Sequence, residues 1–288
     1  MSMPIVKKNI AVLYHGDCRD GFSGAWAAWK KFGKKADYFG LEYGADNNVN
    51  LPKGIKNKVV YLIDFGLKGG SQMNQLVKNN KKVVVLDHHH DAEFFAKMAH
   101  NYVLDNNRSG ATIAWSYFHP KKSVPILLKY VEDLDIWRHS LPNTFAASAY
   151  ADLFEFDFFV WNKLVREFAS LKTRLKIFEK GKTLLEYENK KIQDLAGKNA
   201  ELVKFLNYKV LAVNSPNWVS KIGNLLCQRQ PPFSIVWSKR GNLISVSLRS
   251  EKEKFDVSKI ARKFGGGGHK AAAGFSLKSL KDLPWKSL

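Results

Sequence analysis

The hydrophobic pattern changes period along the chain. Ile10 to Tyr14 (IAVLY), Lys58 to Asp64 (KVVYLID) and Lys82 to Asp87 (KVVVLD) are short, nearly unbroken apolar runs. Such runs suit strands covered on both faces, because neither face then needs polar side chains. Gly21 to Phe32 and Gly70 to Asn79 instead carry apolar residues at helical spacing. Strands alternating with helices predict an α/β domain on a parallel, doubly wound sheet. Thr112 to His119 and Pro125 to Trp137 read as further helices, and then the strand signal stops.

From Phe159 to Phe205 the pattern is helical and Lys-rich, which predicts a helical connector. Strand signals return at Lys209 to Val213, Phe233 to Trp237 and Leu243 to Leu248. Val257 to Phe264 then reads as a short helix leading into a run of glycines. The expected organisation is a first domain over residues 1–158, a connector over 159–205 and a smaller mixed α/β domain over 206–288.

Composition narrows the setting more than the chemistry. The 288 residues hold 46 Lys+Arg against 26 Asp+Glu, a formal charge of +20. An anionic partner, most simply nucleic acid, and a Lys-rich background explain this excess equally well, since the lysines are scattered. With 45% hydrophobic and 25% charged residues the chain is globular rather than disordered. No apolar run approaches the roughly 20 residues needed to span a bilayer. The opening segment has neither an apolar core nor a small-residue cleavage site, so export is not expected. Cys18 and Cys227 cannot build a disulfide framework, and a cytoplasmic location is the expectation.

In an open parallel sheet, ligands gather at the carboxyl ends of the strands. Here the first run is followed by His15-Gly16-Asp17-Cys18-Arg19-Asp20-Gly21, the second ends in Asp64, and the third ends in Asp87-His88-His89-His90-Asp91. A further acidic cluster, Glu132-Asp133-Leu134-Asp135, closes the helix that begins near Pro125. Taken singly, Asp20 reads as a helix cap and Asp64 as a turn residue. Together, these acids and imidazoles would repel or stay unpaired unless a cation lay between them. Oxygen and nitrogen donors suit Mn²⁺, Mg²⁺, Fe²⁺ or Zn²⁺, and one or two such ions could activate water against a phosphoester.

Asp87-His88-His89 after an apolar strand, with Asp20-Gly21 and Asp64 at earlier strand ends, resembles the DHH phosphoesterases. Gly265 to Phe275 (GGGGHKAAAGF) resembles the glycine-rich signature of the DHH-associated domain that follows them. The resemblance covers nearly the whole chain and implies a metal-binding catalytic domain, then a substrate-binding domain. It further implies that Asp64 bridges two divalent ions, with manganese foremost. Asp20, His88 and Asp133 would complete one shell, with Asp135 competing for the place of Asp133. His15 and Asp17 would belong to the other shell. Asp87 would orient the histidines and His89 would face the scissile phosphate. His90 and Asp91 read as solvated loop residues.

One departure stands out. The family pattern puts two aspartates one residue apart, and counting back from Asp20 that place holds Cys18. Asp17 is the expected substitute, the alternative being a weaker or softer first metal site. In the second domain, Gly266, Gly267 and Gly268 could bring backbone N–H groups close to phosphate, with His269 and Arg249 adding hydrogen bonds or charge. The expected activity is metal-dependent hydrolysis of short RNA or DNA oligonucleotides or dinucleotides. A RecJ-like single-strand exonuclease, a pyrophosphatase or exopolyphosphatase, and a non-catalytic nucleic-acid-binding module are the rivals. The GGGGH signature disfavours the pyrophosphatase. Nothing in the sequence speaks to oligomeric state.

Overall fold

The computed structural model describes residues 8–43, 49–67, 70–89, 92–251 and 254–288, with Arg240 described by its backbone alone. His90 and Asp91 lie outside the described residues. Two compact units emerge, Met1–Leu185 and Glu186–Leu288.

In the first unit, β1 (Ile10–His15), β2 (Ala36–Leu41), β3 (Val59–Ile63), β4 (Lys82–Asp87) and β5 (Asn101–Leu104) form a parallel sheet in the order β2-β1-β3-β4-β5. Alternate residues serve opposite layers, as the strand period of two requires. Val12, Ile63, Val84 and Leu86 face a core that Phe22, Trp26, Ile113, Leu128 and Trp161 help to fill. These come from α1 (Arg19–Phe32), α4 (Gly110–Phe118), α5 (Ile126–Asp135) and α7 (Phe158–Ala169). Leu13, Leu62, Val83 and Val85 face the other core, with Met73 and Leu76 of α2 (Gly70–Asn79) and Ala96 of α3 (Glu93–Ala96). Burial on both faces is why these strands read as continuous apolar runs.

The strand order reverses between β1 and β3, so the crevice at their carboxyl ends is the switch point where such sheets bind ligands. Helix α6 (Thr144–Ala151) follows α5, and α8 (Leu171–Lys198) follows α7. Helix α7 starts on Asp157, whose carboxylate accepts from the N–H groups of Phe159 and Val160 at 2.9 Å each. It buries Trp161, Leu164 and Phe168 in the first core. The stretch from 159 expected as a connector therefore opens with a structural helix of the first unit, and the division falls within α8.

The second unit carries a seven-stranded sheet, β10-β11-β9-β8-β7-β6-β12. Its strands are β6 (Glu201–Phe205), β7 (Tyr208–Asn214), β8 (Phe233–Arg240), β9 (Leu243–Ser250), β10 (Gly267–His269), β11 (Ala272–Leu277) and β12 (Trp285–Ser287). Only the β7–β8 pair is parallel, and α9 (Val219–Arg229) makes the crossover that a parallel pair requires. Helix α10 (Val257–Lys263) packs Ile260 and Ala261 against one sheet face, while Ile222 and Leu226 of α9 cover the other.

Candidate metal centre

Three neighbouring strands each end in a side chain able to ligate metal. Strand β1 ends in His15, β3 runs straight into Asp64, and β4 ends in Asp87 followed by His88 and His89. Asp64 takes a left-handed backbone, φ 53°, which aspartate tolerates better than most residues. Its N–H is tied to the carbonyl of Leu86 at 2.9 Å, so the carboxylate is aimed by the sheet itself. Asp20, in the first turn of α1, is 1% exposed.

The N-terminus of α4 closes the floor of the site. Ser109 caps it, and Ala111 N–H donates to Asp20 Oδ1 at 3.0 Å. A Cβ on Gly110 would lie 2.6 Å from Asp64 Cβ and 2.9 Å from Asp20 Oδ2, so only glycine admits this approach. The positive end of a helix beneath two carboxylates lowers the cost of burying their charge.

His88 Nε2 is central, 3.2 Å from Asp64 Oδ1, 3.4 Å from Asp135 Oδ2 and 3.9 Å from Asp20 Oδ2. His15 Nδ1 is 3.7 Å from Asp64 Oδ2. Asp87, fully buried, accepts at Oδ1 from the N–H groups of His88 and His89 at 2.7 and 3.2 Å, and lies 2.8 Å from His89 Nδ1. It holds the His89 ring by one nitrogen and leaves Nε2 as the other polar edge. His15, Asp64, Asp87 and His89 line one pocket with Tyr43, Gly66, Ala92 and Phe95.

Charge in this cluster is unbalanced. Burial, then Asp64 and Asp135, push the Asp20 carboxyl well above the usual range, and burial and Asp64 raise Asp135. Burial would raise Asp64 too, but the imidazoles of His15 and His88 hold it low. For His88, burial opposes protonation, yet Asp64, Asp20 and Asp135 outweigh it and raise its pKa to about 9. The hydrogen bond to Asp87 raises His89. Burial, followed by Asp64, pushes the Cys18 thiol up to about 12.

Asp20 Oδ2, Asp64 Oδ1, Asp87 Oδ2 and Asp135 Oδ2 are buried without a hydrogen-bond partner. Leaving several carboxylate oxygens unsatisfied is costly unless something else meets them. Asp20, His88 and Asp135 converge within ion-binding distance, as do His15, Cys18 and Asp64, and Asp64, Asp87, His88 and His89. The donor set therefore fits divalent metal.

Two expected ligands are elsewhere. Asp133 is 2% exposed and turned away, and the structure gives its expected place to Asp135. Asp133 Oδ1 accepts from Ser140 N–H and Oγ–H, both at 2.8 Å, and Oδ2 accepts from Leu141 N–H at 3.1 Å and from the Thr144 hydroxyl. It ties down the turn after α5. Asp17 is exposed and belongs to none of these groups; Cys18 occupies the position beside His15 and Asp64. Ser109 and Gly110 were missed, although a serine followed by glycine before an apolar run is a helix-start signal.

In the second unit, Gly266 and Gly268 are glycines for a packing reason. Gly266 N–H already donates to Ala261 O at 2.9 Å, and a Cβ there would lie 2.1 Å from Gly274 O. Gly268, at φ 131°, would put a Cβ 2.6 Å from Ala273 Cα. These two residues let β10 lie against β11, while Gly267 is exposed. His269 pairs with Ala272, which pairs with Arg249, so the three side chains share one sheet face. Arg249 donates to Ser220 Oγ at 3.0 Å and Leu248 O at 2.9 Å, committing two of its five N–H groups.

Among the described residues, no helix is long and apolar enough to cross a membrane. The model of the DHH family, N-terminal domain, matches residues 9–136, and that of the DHHA1 domain matches 203–284. An uncharacterized protein of Acanthamoeba polyphaga mimivirus is 32% identical, covering 96% of this chain and 70% of its own length. Oligoribonuclease NrnB of Bacillus subtilis is 24% identical, covering 92% and 72%. A pGpG-specific phosphodiesterase from Vibrio cholerae has a similar fold, with a TM-score of 0.54 at 16% identity over 96% of this chain and 95% of that one. RecJ from Thermus thermophilus, solved with Mn²⁺, gives 0.51 at 13% identity over 93% of this chain and 49% of that one. The site at the sheet's switch point, the two matched domains and the 32% relative together place the chain in the DHH family of metal-dependent phosphoesterases.

Proposed function

We propose that this enzyme is a phosphodiesterase acting on short oligonucleotides or dinucleotides, with divalent metal, manganese foremost, held by Asp20, Asp64, His88, Asp135 and His15. The observation that carries this reading is the set of buried, unpartnered carboxylate oxygens around His88, at the switch point of a DHH-family sheet. When bound, the metal supplies Lewis acidity towards phosphoryl oxygens and lowers the pKa of water.

The protein's own contributions follow from position. Asp64 and Asp20 are fixed before any substrate arrives, one by the sheet and one by Ala111 N–H of α4. Such preorganisation spares reorganisation at the moment of reaction. Asp87 fixes the His89 ring, so its Nε2 edge can hold a proton against a phosphoryl or leaving-group oxygen. Trp137, 81% exposed at φ 55°, stands two residues beyond Asp135 and offers a stacking face to a base. His269 and Arg249 on the second unit are the proposed phosphate contacts, with the exposed Gly267 as the remaining backbone candidate. The clustered carboxylates would repel phosphates without their cations, and the +20 charge of the whole chain supplies long-range attraction.

The relatives agree in class, one named for oligoribonucleotides and one for pGpG. Purified protein with Mn²⁺ should cleave pApA and short RNA in preference to polyphosphate. Asp64→Ala and His88→Ala should abolish turnover. Retention of RNA without any cleavage would overturn the proposal.

A further inference from the structure

His15, Cys18 and Asp64 each offer a ligand atom within 4.8 Å of the others, and so, separately, do Asp20, His88 and Asp135. The two groups differ in chemistry. One presents sulfur, nitrogen and oxygen; the other presents two carboxylates and an imidazole. Cys18 does not stand alone there: Asp64 is 3% exposed, with Oδ2 lying 3.7 Å from His15 Nδ1 and Oδ1, on the side of His88, without a hydrogen-bond partner. Cys18 is the residue immediately before α1, with an extended backbone, φ −134° and ψ 133°.

We propose that the Cys18 thiolate is a metal ligand, so that this centre pairs a soft half-site of His15, Cys18 and Asp64 with a hard half-site of Asp20, His88 and Asp135. Thiolate favours zinc-class ions, including Co²⁺ and Cd²⁺, over Mg²⁺ and Mn²⁺, whereas the carboxylate-rich half-site retains the harder ions. On binding, the S–H bond breaks, its proton leaves to solvent, and a sulfur–metal bond forms with no change of oxidation state. Zinc-class ions therefore fill the first half-site and Mn²⁺ the second. The inference rests on the reading of this cluster as a metal centre.

The test is Co²⁺ titration of the full chain, followed by calorimetry and by near-ultraviolet absorption, where a sulfur-to-cobalt charge-transfer band reports thiolate ligation. Wild type and Cys227→Ser should develop the band, since Cys227 lies near Pro232 O in the other unit. Cys18→Ser and Cys18→Asp should lack it, and Cys18→Asp should still bind Co²⁺ while its preference for Zn²⁺ over Mn²⁺ falls at least tenfold. Co²⁺ bound by wild type without the band, or a band that survives in both Cys18 variants, would overturn the thiolate assignment and leave the metal centre standing. Absence of any Co²⁺ or Mn²⁺ binding heat in wild type would overturn the metal-centre reading itself.

Discussion

Asp133 and Asp135 are two residues apart and do unlike work, which a pair of isosteric substitutions should expose. Asp133→Asn keeps an oxygen for Ser140 but turns an NH₂ towards Leu141 N–H, where Oδ2 now accepts at 3.1 Å. A hydrogen bond to a charged group contributes roughly 1.5–3 kcal/mol, and a buried donor left unpaired costs about 1–3 kcal/mol. The two effects overlap, so a net loss of about 3 kcal/mol is expected. In a unit of this size that is a fall of roughly 6–12 °C in the unfolding midpoint. Asp135→Asn removes a carboxylate whose Oδ2 has no hydrogen-bond partner and whose charge is opposed by burial and by Asp64. Its metal-free midpoint should therefore stay within about 2 °C of wild type. What it loses is metal: a hundredfold weaker site forfeits about 2.7 kcal/mol of Mn²⁺-dependent stabilisation at fixed excess ion. Calorimetric melts with and without Mn²⁺, set beside pApA hydrolysis, separate the two variants. Asp133→Asn should be unstable yet active per folded molecule, and Asp135→Asn stable yet inactive. The reverse pattern would refute the assignment.

Gly110→Ala should weaken Mn²⁺ binding at least tenfold despite alanine's better helix propensity, because its Cβ meets Asp64 and Asp20; an isothermal titration matching wild type would contradict this. Asp37→Asn should lower stability by about 2 kcal/mol at neutral pH, since Lys58 Nζ lies 2.9 Å from that carboxylate and its side chain is only 8% exposed. Burial would raise Asp37, but Lys58 and Lys8 lower it overall. Its contribution is thus full above the unfolded pKa of 3.8 and lost as pH falls through the lower folded value, so wild-type and variant denaturation curves should converge in acid. Trp137→Ala should raise KM for a dinucleotide roughly tenfold, within the 1–3 kcal/mol of one stacked base, while leaving kcat and Mn²⁺ affinity unchanged.

The parallel sheet was legible where its strands are central. Strands β1, β3 and β4 are covered on both faces, and double coverage writes itself into the chain as unbroken Val, Ile and Leu. The edge strands β2 and β5 escaped notice for the complementary reason. Three of the four residues of β5 are exposed, so no apolar run marks it. The helical pattern of α9 is broken in sequence by Gly223, which packs beneath the Arg249 side chain; its requirement comes from a residue on strand β9. The glycines of 265–268 are similar. Locally they read as a flexible or anion-binding loop, but Gly266 and Gly268 are set by the close approach of β11, which no local pattern announces.

The site was legible to the strand and ambiguous to the residue. Strand ends could be read because a buried apolar run stops where the backbone leaves the sheet, and Asp64 and Asp87 stand at those stops. The choice between Asp17 and Cys18, like that between Asp133 and Asp135, depends instead on where a helix begins or ends. Helix α1 starts at Arg19, so Cys18 sits at its threshold and Asp17 one step outside, where the chain has already turned to solvent. Helix α5 ends at Asp135, and residues two apart on a helix differ by about 200° in direction. One of the two must therefore leave the pocket. The backbone N–H groups of Ser140 and Leu141 decide which, because they capture Asp133 from a turn that comes later in the chain. A one-residue shift in an acidic pair thus exchanges a ligand for a structural clasp, and carboxylate spacing identifies such a centre without assigning its atoms.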